Sequence, residues 1–584
     1  MDFAAGPTDS SAPSIAGTRI SREGANGVGP HGVGPHGPGY VCTVTLEDYF
    51  HAAPLRPWIR TGIWHRFETR LEVGTRRSLE LLESCGARAT YFVGEELIDG
   101  SPDLIRAIAT AGHEVAVRGD LEAQPGERSP AQTREQAARA RDRLEQVVGH
   151  RVFGYRAAGG WLRDDELWVL DVLAEAGYAY DSSIRPILFS NSIHALGGRD
   201  GGVRELPMAA VSLAGAAMPI GGGAALRLFP ESWVRRSVAR WDGGARGPYV
   251  MCLRPWELDP EQPRVQSASA AVRLRQYHNL ERMPDRLRTL LTTHRFVSAA
   301  SHLGLVPERV ERRAPARTAT GAPPVAQVAT PARASHDAMP VTVVVPCYNE
   351  TQSLPYLDRA LADLSAAFAG QYAFDFVFVD DRSTDDTWNM LQALFGRRGD
   401  CILLRHDRNR GIAAAIRTGL QRAPADVVCS MDCDCTYDPH ELGHMIPLLR
   451  DGVDVVTASP YHPEGGVRNV PGWRLVLSKT LSRMYRVVLR QKLFTYTSCF
   501  RVYRRESAMA LEVERPGFLG IAEMIARLDL AGCRVVEYPT TLEVRVLGQS
   551  KMKVLRTVWG HVGLLLDVAR LRLRQATSVL TASL

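Results

Sequence analysis

Four short apolar runs recur in the second half of this chain, and their endings constrain the fold more than any other feature. They are Val341–Val345, Phe374–Val379, Cys401–Leu404 and Val427–Met431. The first stops at Pro346-Cys347-Tyr348-Asn349-Glu350, the second at Asp380-Asp381 and the fourth at Asp432-Cys433-Asp434. Runs of this length, rich in β-branched residues and separated by helical patterns, predict buried parallel strands of an α/β domain. In open parallel sheets, ligands bind where strands end. Carboxylates at three strand ends therefore predict one rim that carries chemistry.

Length and composition place this rim in a larger molecule. With 584 residues, the chain is too long for a single core. Residues 1–39 are rich in Gly, Pro and Ser and carry a tandem Gly-Val-Gly-Pro-His unit, which predicts a disordered tail. Residues 307–338 are rich in Pro, Ala, Arg and Thr without periodicity and read as a linker. Two folded blocks remain, 40–306 and 339–584, both alternating strand and helix patterns.

Charge and cysteine usage exclude some classes. The net charge of +6 is mild for this length and predicts no nucleic-acid partner. The ten cysteines show no metal-finger spacing and read as reduced and cytosolic. The first residues lack an export signal, and runs such as Val562–Leu566 are far too short to span a bilayer.

Asp432 and Asp434, two apart at a strand end, suit one hard divalent cation, Mg²⁺ or Mn²⁺, shared with a substrate phosphate. The spacing gains weight from VVVPCYNE, VFVDDRSTDDT, RNRGIAAAIRTGL, MDCDCTYDP, GWRLVLSK, TSCFRVYRR and VRVLGQSK, in that order. Together they resemble glycosyltransferase family 2, in the branch of dolichol- and polyprenol-phosphate sugar synthases. The resemblance implies a GT-A (Rossmann-like) domain that takes a UDP- or GDP-linked sugar. It places Pro346, Tyr348, Asn349 and Glu350 at the nucleoside pocket with Asp380 and Asp381, and Asp432 and Asp434 on the cation. Arg474 and Ser478, four apart on one helix face, would cradle an acceptor phosphate. Arg545 and Lys551 would belong to a loop closing over the diphosphate. Glu523 stands near the family's general base, required if the acceptor is a hydroxyl. The acceptor remains open between a polyprenyl phosphate and a glycan. Reaction would be one in-line displacement with inversion. Two positions depart from the pattern: Ala458-Ser459-Pro460-Tyr461 replaces Gly-Ser-Arg-Tyr, and Thr436 replaces a glutamine. Arg501 and Arg504 can also be read as a solvated strand edge.

The first block resembles the polysaccharide deacetylase family through VTLEDYFH, RATYFVGEELID, AGHEVAVRGD, GYRAAGG, LDVLAEAGYAYDSSIRP and LRPWELDP. That implies a deformed (β/α) barrel with its chemistry lost. Thr45 stands where the base belongs, Arg118 and Glu122 where two histidine ligands belong, and Arg254 where a late histidine belongs. A guanidinium has no lone pair for a metal. Asp48 would remain as the metal-side acid, with Glu47, His51, His113 and Glu122 as conceivable substitutes. Arg118, Arg156 and Arg254 would converge to hold an anion, unless they pair with Glu47, Asp48 and Glu257. Two other readings stay open: a bifunctional deacetylase–transferase, and a glycan-binding scaffold. The segment 553–573 predicts a helix that either lies on an anionic membrane face or packs on the sheet. The expected location is cytoplasmic, with peripheral contact at the inner membrane face.

Overall fold

The computed structural model describes residues 39–120, 129–158, 162–184, 194–196, 202–213, 216–242, 247–305, 338–470, 472–509, 513–515, 517–543 and 554–582. Residues 1–38 of the predicted tail, nearly all of the predicted linker, Glu122, Arg545 and Lys551 lie outside these residues.

In the N-terminal half, eight strands line up in the order 249–253, 40–45, 89–94, 114–118, 154–156, 180–181, 203–205 and 194–196. Pairing is parallel except at the final edge, and Phe296–Val297 also pairs with the strand Tyr40–Thr45. The result is a parallel half-barrel sheet. Its strands are buried along most of their length, Ala89–Gly94 completely, as expected where helices cover both faces.

In the C-terminal half, seven strands run 401–405, 372–380, 339–347, 427–430, 501–504, 455–459 and 535–539. The first four are mutually parallel, and Arg501–Arg504 is antiparallel to both neighbours. The four predicted apolar runs are these first four strands, each within two residues of its expected limits. Register sets Cys347 beside Asp380 and Val344 beside Ser430. Three acidic or polar turns therefore leave the sheet along one rim. This is a GT-A type α/β arrangement.

Arg501 corrects one expectation. It is fully buried rather than a solvated edge residue. Its guanidinium donates to the carbonyls of Tyr496 and Ile521, tying its strand to the helix Phe518–Leu530. Arg504 likewise donates to the carbonyls of Val453 and Arg450. His113 is also structural: its Nδ1 accepts the Ala89 amide at 3.1 Å, and burial pushes its pKa down to about 4.

The two halves meet through the segment 49–67. Tyr49, Phe50, Trp64 and Phe67 form one apolar cluster with Tyr356 and Ala360 of the helix Leu354–Ala367. Arg66 sits within it, 4% exposed. Its Nε donates to Asp363 at 2.9 Å and its Nη1 to Asp438 at 3.2 Å. Arg60 adds an ion pair to Glu543 at 3.0 Å. Removing one member of a buried pair leaves the others desolvated and uncompensated, at roughly 3–5 kcal/mol. Arg66→Ala should therefore lower the urea midpoint of the full chain by a stability loss near the lower end of that range. An unchanged midpoint would mean that this contact contributes nothing.

Candidate functional site

A cleft of about 540 Å³ opens on the C-terminal rim. Asp432, Cys433 and Asp434 line one side, with Pro346, Tyr348, Glu350 and Asp381 next to them. An adjoining lobe of about 250 Å³ shares Asp432, Thr436, Tyr461, Arg474 and Ser478 with it.

The first wall is held by local hydrogen bonds. Asp381 Oδ1 accepts the amide of Arg410 at 2.7 Å, and Oδ2 accepts that of Gly411 at 2.7 Å. His406 Nδ1 lies 2.7 Å from Oδ1. This acid thus fixes the start of the helix Ile412–Arg422, where Gly411 has φ of +89°, a conformation that favours glycine. Glu350 Oε2 accepts Ser353 Oγ at 3.0 Å, and the Glu350 amide donates to Thr387 Oγ1 at 2.7 Å. Asn349, with φ of +53°, accepts the amides of Thr384 and Asp385 and so ties two strand-end loops together. It is not among the residues lining the cleft.

Asp380 corrects the sequence expectation. It is fully buried and off the cleft, accepting the Ser383 amide at 3.1 Å and pairing with Arg405 Nε at 2.9 Å. Alternation explains this, because neighbouring residues of a strand end face opposite ways.

Asp432 and Asp434 both line the cleft. Asp434 Oδ1 accepts the Thr436 amide at 3.0 Å, which orients it. Cys433, between them, packs its sulfur 3.8 Å from that of Cys347. That contact and burial hold the Cys433 thiol well above its ordinary range, so it stays neutral. Among the described residues, no cluster of three or more His, Cys, Asp or Glu side chains is arranged to enclose a metal ion. A pair of carboxylate oxygens open to a cleft suits a Mg²⁺- or Mn²⁺-type ion that takes its other ligands from substrate and water.

The helix Gly472–Val488 contributes a further part of the lining. Arg474 and Ser478 both reach the cleft from it. Arg474 Nε is buried without a hydrogen-bond partner among the described residues. Ser478 hydrogen-bonds the Tyr461 side chain. Around them lie Trp473, Leu477, Leu481 and Phe518, an apolar surround.

Glu523 does not face this space. It is 3% exposed, and Oε2 accepts the amides of Glu514 and Arg515 at 3.1 and 2.8 Å. Oε1 pairs with Arg527 at 2.8 Å. It lines neither lobe, which corrects its assignment as a base. The sequence reading missed Tyr461, Phe518, Glu543 and His561 as cleft residues. Only Tyr461 carried a local signal, its place in the departing Ala-Ser-Pro-Tyr motif. The other three arrive from distant segments.

At the N-terminal rim, Asp48 is occupied. Its Oδ1 accepts the Tyr49 amide, and its Oδ2 accepts Thr69 Oγ1 and the amides of Arg70 and Leu71. Arg156 does not converge with Arg118 and Arg254. It lies 4.0 Å over the Phe92 ring and donates to Ser182, Thr43 and Thr45.

The structure thus defines an α/β domain with an acid-lined cleft at the carboxyl ends of a parallel sheet. Comparison with known proteins specifies it further. The family model for glycosyl transferase family 2 matches residues 342–511, that for polysaccharide deacetylase matches 62–180, and a domain of unknown function (DUF3473) matches 186–303. A dolichol-phosphate mannosyltransferase of Pyrococcus furiosus is 30% identical over 37% of this chain and 60% of its own length. A polyprenol monophosphomannose synthase of Mycolicibacterium smegmatis is 31% identical over 36% of this chain and 80% of its own. A glucosyl-3-phosphoglycerate synthase of Mycobacterium tuberculosis, solved with Mn²⁺ and UDP, aligns at a TM-score of 0.31 and 19% identity, over 40% of this chain and 78% of its own. The chain belongs to glycosyl transferase family 2, with a polysaccharide deacetylase-like domain at its N-terminal side. It spans 60% of the length of the Pyrococcus relative.

Glu523→Gln should lower the melting temperature, because a side-chain amide replaces an acceptor of two backbone N–H groups. Turnover should stay within about tenfold, whereas loss of a general base costs roughly 10²–10⁴. A turnover loss in that larger range, with an unchanged melting temperature, would restore the catalytic assignment.

Proposed function

We propose that this chain transfers a sugar from a nucleotide-diphosphate sugar, UDP- or GDP-linked, to a polyprenyl phosphate. The observation that carries the reading is the pairing of opposite chemistries across one cleft. Asp432, Asp434, Arg474 and Ser478 line the same cleft, and the carboxylate expected to serve as base is turned away. A hydroxyl acceptor needs a base, but a phosphate monoester is already anionic at neutral pH. The names of the relatives point to the same acceptor class.

In this reading Pro346, Tyr348 and Glu350 bound the nucleoside, while Asp381 keeps the Arg410–Gly411 turn beside it. Asp432 and Asp434 would hold a divalent cation, which when bound neutralises charge on the leaving diphosphate. Arg474 supplies its unpartnered guanidinium edge to the acceptor phosphate, and Ser478 a hydroxyl. The phosphate oxygen attacks the anomeric carbon in line, with inversion, as the bond to the diphosphate breaks. Arg545 and Lys551 are proposed to close over that diphosphate. Low dielectric around such preset charges makes them effective at the transition state.

The second lobe and its surroundings suit the lipid part of such an acceptor. Trp473 and Phe518, which line it, are 56% and 45% exposed. Val476 and Val487 on the same helix are 67% and 79% exposed. On the tail helix Val554–Ala582, Trp559, Leu566 and Leu573 are 75%, 55% and 68% exposed at seven-residue intervals, so they share one face. Leu564, Leu565 and Val568 of that helix are buried against the domain. The helix thus packs inward and presents an apolar outer stripe, with Arg570 exposed nearby. Among the described residues no helix is long and apolar enough to cross a membrane. We read the stripe as peripheral contact with an anionic lipid surface. Deacetylase activity is disfavoured because Asp48 already accepts four hydrogen bonds.

With radiolabelled nucleotide-sugar, Mn²⁺ and polyprenyl phosphate in mixed micelles, Asp434→Asn should reduce transfer by at least about 10²-fold, the scale of losing one electrostatic stabiliser. Arg474→Gln should raise KM for the lipid phosphate more than for the donor. Full transfer by Asp434→Asn would refute the reading.

A further inference from the structure

A second cluster of charge lies at the other rim, in the half of the chain that has lost its metal-binding pattern. Arg118 ends the strand Glu114–Arg118, Glu47 follows the strand Tyr40–Thr45, and Arg254 follows the strand Tyr249–Leu253. These strands are parallel members of one sheet, so all three residues emerge on its carboxyl-end side. Arg56 reaches the same place from the segment 49–67. Burial, and the like charges of Arg118 and Arg254, draw its pKa below the ordinary arginine range, while Glu47 opposes this. His51 joins them: burial, then Arg118 and Arg56, push its pKa down to about 3, so it is neutral.

The hydrogen bonding of this cluster is incomplete. The Arg118 side chain is 1% exposed, yet among the described residues only its Nη2 has a partner, Glu96. Its Nε and Nη1 are buried without partners among the described residues, as is Arg56 Nε. Arg254 Nε pairs with Glu47 Oε1 at 2.5 Å. Among the described residues, the ion pairs of these three guanidinium groups are to two carboxylates, Glu47 and Glu96. No ion pair joins Asp48 to these guanidinium groups among the described residues; its oxygens accept backbone amides and Thr69. Buried donors without acceptors are costly. Planar guanidinium forks match the oxygens of carboxylate and phosphate. Arg254 is 30% exposed and Arg56 half-buried, so solvent reaches the group.

We propose that Arg56, Arg118 and Arg254 form an oxyanion-binding site, for a carboxylate or phosphate group, at the rim where the related deacetylases would hold a metal. It takes up the orphaned Arg118 and Arg56 donors. It is independent of the transferase reading, since it uses none of the residues of that cleft.

The test is isothermal titration of the full chain in EDTA with inorganic phosphate and, separately, with glucuronate. The variants are Arg56→Gln, Arg118→Gln and, in the other cleft, Arg474→Gln. Saturable binding of at least one anion is expected, weakened tenfold or more by Arg56→Gln and Arg118→Gln and retained by Arg474→Gln. Phosphate alone would identify a phosphoryl ligand, and glucuronate alone a sugar acid. If Arg118→Gln fails to fold, Arg56→Gln decides, because Arg56 lies in a half-exposed loop. No saturable binding of either anion overturns the proposal. So does binding that Arg474→Gln removes and Arg56→Gln leaves intact.

Discussion

Parallel register between the strands Met339–Cys347, Tyr372–Asp380 and Val427–Ser430 is the constraint on which the acid-lined cleft rests. With Cys347 beside Asp380 and Val344 beside Ser430, the three chains leave the sheet together. Each then turns with polar residues that satisfy one another: Asn349 reaches the 384–385 amides, and Asp381 takes those of Arg410 and Gly411. The rim is thereby fixed before any ligand arrives. A slip of one residue would send Asp381 into the sheet and bring Asp380 out, since strand side chains alternate.

The four parallel strands and the identity of the acidic rim were readable because both depend on local pattern. Buried parallel strands must be apolar throughout, and their ends must turn. What local pattern cannot encode is where a carboxylate points. Asp380 and Asp381 are adjacent and chemically identical, yet one pairs with Arg405 in the core and the other fixes a helix start. Glu523 looked like a base by position in the chain, but the amides of Glu514 and Arg515 turn it inward. Arg501 was equally illegible. Its partners are carbonyls at Tyr496 and Ile521, and a carbonyl leaves no trace in a sequence. The Arg66 contacts join residues 297 and 372 positions apart, beyond any spacing argument.

The N-terminal half is more than a relic beside the transferase. The segment 49–67 carries Arg56 at its own rim, Arg60 against Glu543 of the donor cleft, and Arg66 against Asp438 just past the acid pair. Thr436, between that pair and Asp438, is bound in turn by the Glu543 amide at 3.0 Å. A short stretch of chain therefore bridges two rims. The same stretch gives the first half an apolar and ionic seat on the second.

The central claim is that two neighbouring acids bind a cation that in turn grips a diphosphate. An anomalous difference map from crystals of the full chain grown with Mn²⁺ and UDP or GDP examines it most directly. The account predicts a single strong peak bonded to carboxylate oxygens of Asp432 and Asp434 and to the diphosphate. A nucleotide bound with no manganese at these acids, or manganese bound elsewhere in the chain, would contradict it.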